Sequence, residues 1–336
     1  MAVKDFSETT AARLRRYFPF SAKAIAAVSQ YAATQVQFKT YKEFFKSVDI
    51  SEGATLYSTA RHGSVEVIDI APQGDEKGAI VVHLPMGNPL DPNQLYQVAT
   101  IAGTNPGYRV IGFGNPSGKP YYHKDQNLTF MKRWGIASLR STRPLVEAEL
   151  SYLDSQGIRS AMHVGFSYGA IKALIESTHS EKGTVKNLVM IEPVSHTRSL
   201  RRLIDDFKST LGPMGKYVNN TGLETYKEAR RHGIEGKQIN RGLVRPISLA
   251  VAFMLSRFNL RTELQKFITK NPEVPITVVW GSSSELIDDA RMATVIAELK
   301  AAGAPLQAIR LPGLHHALAN DVHLHAVIIR QALSSK

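Results

Sequence analysis

From Ala161 to Ser177 the chain reads Ala-Met-His-Val-Gly-Phe-Ser-Tyr-Gly-Ala-Ile-Lys-Ala-Leu-Ile-Glu-Ser. Ala161 to Val164 is a short apolar run with the texture of a buried strand, and Ala170 to Ser177 has the texture of a helix. Between them lies Gly165-Phe166-Ser167-Tyr168-Gly169, a Gly-x-Ser-x-Gly pattern at a strand-to-helix junction. In that setting the two glycines let neighbouring backbones close around a strained turn, which lifts the serine hydroxyl above the sheet. The helix that starts behind the turn brings its positive dipole end to the same place, where negative charge can be held.

Working outward, the same alternation repeats. Ala79–Leu84, Arg109–Phe113, Leu188–Ile191, Ile276–Trp280 and Leu306–Leu311 are short continuous apolar runs. Helical stretches such as Ser138–Leu153 and Asp289–Ala302 lie between several of them. Buried runs alternating with helices predict an α/β fold, a mostly parallel central sheet with helices on both faces. Ahead of it, Thr55–Ala60 and Ser64–Ile70 alternate with period two around Arg61, His62 and Gly63, which predicts an antiparallel hairpin. Residues 8–48 carry apolar positions at helical spacing, so residues 1–53 are expected to form a helical N-terminal extension. Between His196 and Lys270 the strand signal stops and amphipathic stretches such as Leu200–Leu211 and Leu249–Phe258 take over. The expected organisation is a core of 54–196 and 271–336, with 197–270 inserted as a helical cap.

Composition narrows the chemistry. The 336 residues include no cysteine, which removes thiol nucleophiles, disulfides and zinc–cysteine sites, and 43% are apolar, enough for a full core. Lys and Arg outnumber Asp and Glu by 41 to 29, and the segment 197–270 holds 15 of the former and 6 of the latter. Most of the surplus therefore belongs to the expected cap, where Arg198, Arg201, Arg202, Arg230, Arg231 and Arg241 could steer an anionic substrate or meet an anionic membrane surface. Ordinary solvated helix faces explain the same charge. No helix-turn-helix, zinc finger or aromatic RNA-binding signature accompanies it, so no nucleic-acid partner is expected. The N-terminus lacks a signal-peptide apolar run, and the longest central apolar run, Ile247–Leu255, is far below the roughly 20 residues of a membrane span. A cytoplasmic location is the expectation, with membrane-surface contact unlooked for.

A serine hydroxyl needs a histidine to take its proton and an acid to fix the imidazole tautomer. The histidine candidates are His315 and His316, in the loop after the last strand. The acid is sought after Ile276–Trp280, in Gly281-Ser282-Ser283-Ser284-Glu285-Leu286-Ile287-Asp288-Asp289. Glu285 is the nearest carboxylate, whereas Asp288 and Asp289 also suit the N-terminus of the following helix.

With these residues in place the chain resembles the α/β-hydrolases of the serine-nucleophile, esterase- and lipase-like kind. The family order of serine, acid and histidine is met by Ser167, Glu285 and His316, and Gly313-Leu314-His315-His316 matches a family pattern that favours His316. Tyr108–Pro120 resembles the glycine-rich loop after the fourth strand, with Gly114 where an aspartate is usual. His83–Asn88 occupies the oxyanion loop. The resemblance implies main-chain N–H donors from Met86 and from Tyr168; Pro85 has none to give. At the common acid position after the seventh strand stands Ser284, and relatives with Ser-Asp there point to Glu285. Certain lipases take their acid from the end of the sixth strand, which leaves Glu192 open beside Asp288. The implied activity is cleavage of a carboxylic ester or related small acyl compound through an acyl-enzyme, with no metal or organic cofactor. Acyl transfer to an alcohol, or a catalytically silent binding protein on the same fold, are the alternatives.

Overall fold

A computed structural model describes residues 55–85, 90, 92–115, 128–194, 205–206, 246–311, 316 and 322–334. The expected N-terminal extension, the basic residues of 197–245, His315 and Met86 lie outside the described residues.

The hairpin comes first, β1 (Thr55–Thr59) and β2 (Gly63–Ile70), followed by β3 (Ala79–His83), β4 (Arg109–Phe113), β5 (Ala161–Phe166), β6 (Val185–Ile191), β7 (Ile276–Gly281) and β8 (Leu306–Leu311). They join in one sheet of order β1-β2-β4-β3-β5-β6-β7-β8. β2 runs antiparallel to β1 and to β4, and every pairing from β4 to β8 is parallel. The strand order turns at β3, which has β4 on one side and β5 on the other, and the crevice beyond the carboxyl ends at such a point is where open α/β sheets bind ligands.

The helices are α1 (Pro92–Thr104), α2 (Phe130–Ala137), α3 (Glu147–Ser155), α4 (Tyr168–His179), α5 (Pro246–Arg257), α6 (Leu260–Lys270), α7 (Asp289–Ala301) and α8 (Val322–Ser334). Side chains alternate along each strand, so the apolar runs feed both faces. Ile80 and Val82 of β3, with Met162, Val164 and Phe166 of β5, join the core that α1 and α8 cover. Leu188 and Met190 of β6 face the other way, into a core shared with α4, α6 and α7. Ala79, Val81 and Ala161 reach that same far side, where Leu153 of α3 meets them.

The single helix expected over Ser138–Leu153 is broken. Leu139 takes φ 56°, and a 3-10 turn at Arg143–Leu145 contains Pro144, which has no N–H to continue a ladder, so the regular helix starts at Glu147. Within the stretch assigned to a cap, α6 lies in the helical layer that covers the sheet, against α4 and α7. No helix among the described residues is long and apolar enough to cross a membrane.

Candidate active site

Ser167 follows β5 directly and precedes the first residue of α4. Its backbone is at φ 55°, ψ −124°, a conformation that costs a non-glycine residue about 1–3 kcal/mol. The flanking glycines make this turn possible by what they lack. A Cβ at Gly165 would run into the Gly169 carbonyl, and one at Gly169 into the carbonyl of His83 at the end of β3. The turn is thus clamped between its own helix and the neighbouring strand, and the Ser167 N–H donates to Ile191 O of β6 at 2.8 Å.

His316 reaches this hydroxyl. Its Nε2 lies 2.8 Å from Ser167 Oγ, and its Nδ1 lies 3.0 Å from Glu192 Oε2. All three residues are buried. Glu192 stands just past β6 at φ 53°, so the serine and the carboxylate both sit in left-handed backbone. The main chain of Glu192 is tied to the next strand, its N–H donating to Val279 O at 2.8 Å. Its Oε1 accepts from the Gly281 N–H, and its Oε2 also accepts from Ser284 Oγ at 2.7 Å. Such donors fix the carboxylate in place, as needed to set the imidazole tautomer and to face an imidazolium.

The expected place of Glu285 on the imidazole is therefore corrected by geometry. Glu285 Oε2 accepts the main-chain N–H of His316 at 3.2 Å, while the ring nitrogen faces Glu192. The physical reason is the reach of two strand ends. Glu192, the residue after β6, turns through its positive φ so that its carboxylate meets the imidazole, and Ser284 of the β7 loop donates to that carboxylate. Asp288 is the N-cap of α7, accepting from the Arg291 N–H at 3.0 Å, and Asp289 pairs with Arg310 and Trp280. The sequence signal for Glu192 was a charged residue set at the end of the apolar run Val185–Ile191 and followed by Pro193.

Of the expected oxyanion donors, Tyr168 is the first residue of α4, where a helix leaves its N–H groups without intrahelical partners. Met86 lies outside the described residues, but the start of its loop is anchored. Asn115 Nδ2 donates to Pro85 O at 2.9 Å and to Leu84 O at 3.3 Å. This gives the residue after Gly114 a role that the sequence left blank.

Comparison with known proteins agrees at the level of the fold. No protein-family model matches the chain, and no curated protein sequence does. Among solved structures, a hydrolase from Pseudomonas aeruginosa PA01 is similar at 14% identity and a TM-score of 0.55, over 85% of this chain and 100% of that one. An esterase from Pyrococcus furiosus is similar at 12% identity and a TM-score of 0.54, over 86% and 93%. The enol-lactonase from Burkholderia xenovorans LB400 is similar at 11% identity and a TM-score of 0.53, over 85% and 100%. With this sheet order the chain has the fold of the α/β-hydrolases, and it carries a serine on the turn after β5 with a histidine bridging it to a buried carboxylate.

Proposed function

We propose that the protein cleaves a carboxylic ester, or a closely related small acyl compound, through an acyl-enzyme on Ser167. The observation that carries this reading is His316 bridging Ser167 Oγ and the Glu192 carboxylate in one buried line. Two of the similar folds are named as an esterase and an enol-lactonase, both names for enzymes that open ester bonds.

In this reading Ser167 Oγ attacks the acyl carbonyl as its proton passes to His316 Nε2. Glu192, on the far side of the ring, faces the imidazolium that forms. The carbonyl oxygen gains charge and is met by the Tyr168 N–H at the dipole end of α4, with the Met86 N–H as its second donor. Collapse breaks the ester bond, and the departing alcohol oxygen takes the proton from His316. Water then repeats the sequence on the acyl-enzyme, and the acid leaves. Glu285 keeps a supporting part, fixing the main chain from which the His316 ring projects.

A fluorophosphonate probe and p-nitrophenyl acetate test this directly. The wild type should label covalently and hydrolyse the ester, and Ser167→Ala should lose the label and at least about 10⁴-fold of the turnover. An unlabelled wild type, or labelling that persists in the variant, would refute the assignment.

A further inference from the structure

Beneath the serine turn, on the sheet face covered by α3 and α4, lies a second set of buried ionisable side chains. His83 ends β3 and His163 sits inside β5, both on the face that alternation turns toward α4. From α4 come Lys172 and Glu176, four residues apart and on one helical stripe with Tyr168. Glu149 comes from α3. All are buried almost completely.

Lys172 Nζ pairs with Glu149 Oε1, and His83 Nδ1 is 3.7 Å from Glu149 Oε2. Glu176 Oε1 lies 3.4 Å from His163 Nδ1 and 3.9 Å from His83 Nε2. Tyr168 is buried on the same stripe, and its phenol is pushed well above its ordinary range by burial and then by the charge of Glu149. Such a cluster costs more to bury than apolar side chains of the same volume. The relay of Ser167, His316 and Glu192 makes no use of it.

The three atoms His83 Nε2, His163 Nδ1 and Glu176 Oε1 are close enough together to surround a metal ion. Two features favour a proton-linked network instead. The imidazole rings are within 15° of parallel, with centres 5.8 Å and facing nitrogens 3.5 Å apart. The difference between those distances is what two ring radii take up, so both nitrogens point along the line between the rings, as in a hydrogen bond, and not toward a common third point. The Lys172 ammonium also already supplies the positive charge, and it adds to burial in holding His83 far below its ordinary value. Burial holds His163 at about 4 and, with the Glu149 charge, lifts Glu176 well above the carboxylate range. Burial thus works against the charged form of both histidines and of Glu176, while Lys172 and Glu149 pair directly.

The placement matters because the cluster spans the two halves of the expected oxyanion hole. The end of β3 leads through Leu84 and Pro85 toward Met86, and the start of α4 carries the Tyr168 N–H. The two meet at one backbone contact, Gly169 against the carbonyls of His83 and Leu84. We propose that the cluster of Lys172, Glu149, Glu176, His83 and His163 is the positioning element of this hole, locking the first turn of α4 against the end of β3. This rests on the ester-hydrolase reading above.

The test separates positioning from plain stability. Lys172→Met/Glu149→Leu removes the pair together and leaves neither charge stranded, so the melting temperature should stay near that of the wild type. With p-nitrophenyl acetate, and with active sites counted by fluorophosphonate, kcat per site should fall about 10- to 100-fold while KM changes less than about twofold. Should that variant not fold, Glu176→Gln changes one member of the cluster at nearly constant volume, and a fall of about threefold or more in kcat is expected. A wild-type kcat in the variant that folds would overturn the inference, as would one equivalent of zinc in the purified wild-type protein by elemental analysis. If the wild type itself is not labelled, the hydrolase reading falls and this inference with it. Normal labelling and turnover in the variants removes this inference alone.

Discussion

The ends of β6 and β7 each present a glutamate to His316, and the two do different work. Glu192, past β6, puts its carboxylate on the imidazole Nδ1 and is itself held by Gly281 and Ser284. Glu285, in the loop past β7, accepts from the histidine main chain. One carboxylate fixes the tautomer of a ring and the other fixes where that ring is attached. Proximity to the histidine in the fold therefore does not assign the acid; the atom it meets does.

Glu192→Gln is the sharpest way to break the comparison. Neutralising the group on Nδ1 should lower kcat by about 10³- to 10⁴-fold toward p-nitrophenyl acetate, because the imidazole loses both its tautomer control and its counter-charge. Ser284→Ala deletes one of the hydrogen bonds to that carboxylate, and since a bond to a charged group is worth about 1.5–3 kcal/mol, a fall of about tenfold in kcat is expected. Glu285→Gln keeps a side-chain oxygen able to accept from the His316 N–H, so its kcat should remain within about threefold of the wild type. Steady-state kinetics on the three variants rank the two strand ends, and the reverse order for Glu192 and Glu285 would make the β7 loop the source of the acid.

The nucleophile turn was legible in the sequence because its constraint is local: Gly165 and Gly169 are needed by atoms within a few residues or on the next strand. The strands were legible for the same reason, since a strand buried on both faces announces itself as a continuous apolar run. The acid was not, because its assignment depends on the positive φ of Glu192 and on Ser284 arriving from 92 residues further along the chain. The buried cluster was hidden differently. His83 and His163 lie inside apolar runs, and Lys172 and Glu176 inside a helix, where spacing gives the face of each residue but not that one face gathers all four. Leu139 and Pro144 show the limit for helices, where a single backbone reversal split a stretch whose pattern continued across it.

Ser167 and Glu192 leave adjacent, hydrogen-bonded strands, with the Ser167 N–H on the carbonyl of the residue before Glu192. The separation of nucleophile and acid is accordingly a property of sheet register, as fixed as the spacing of any two paired residues. His316 alone comes from outside that pair, from the stretch of chain between β8 and α8. For protein engineering the site divides into a pair of groups set by sheet register and one ring brought to them from outside it, so the histidine is the member whose placement depends on loop length.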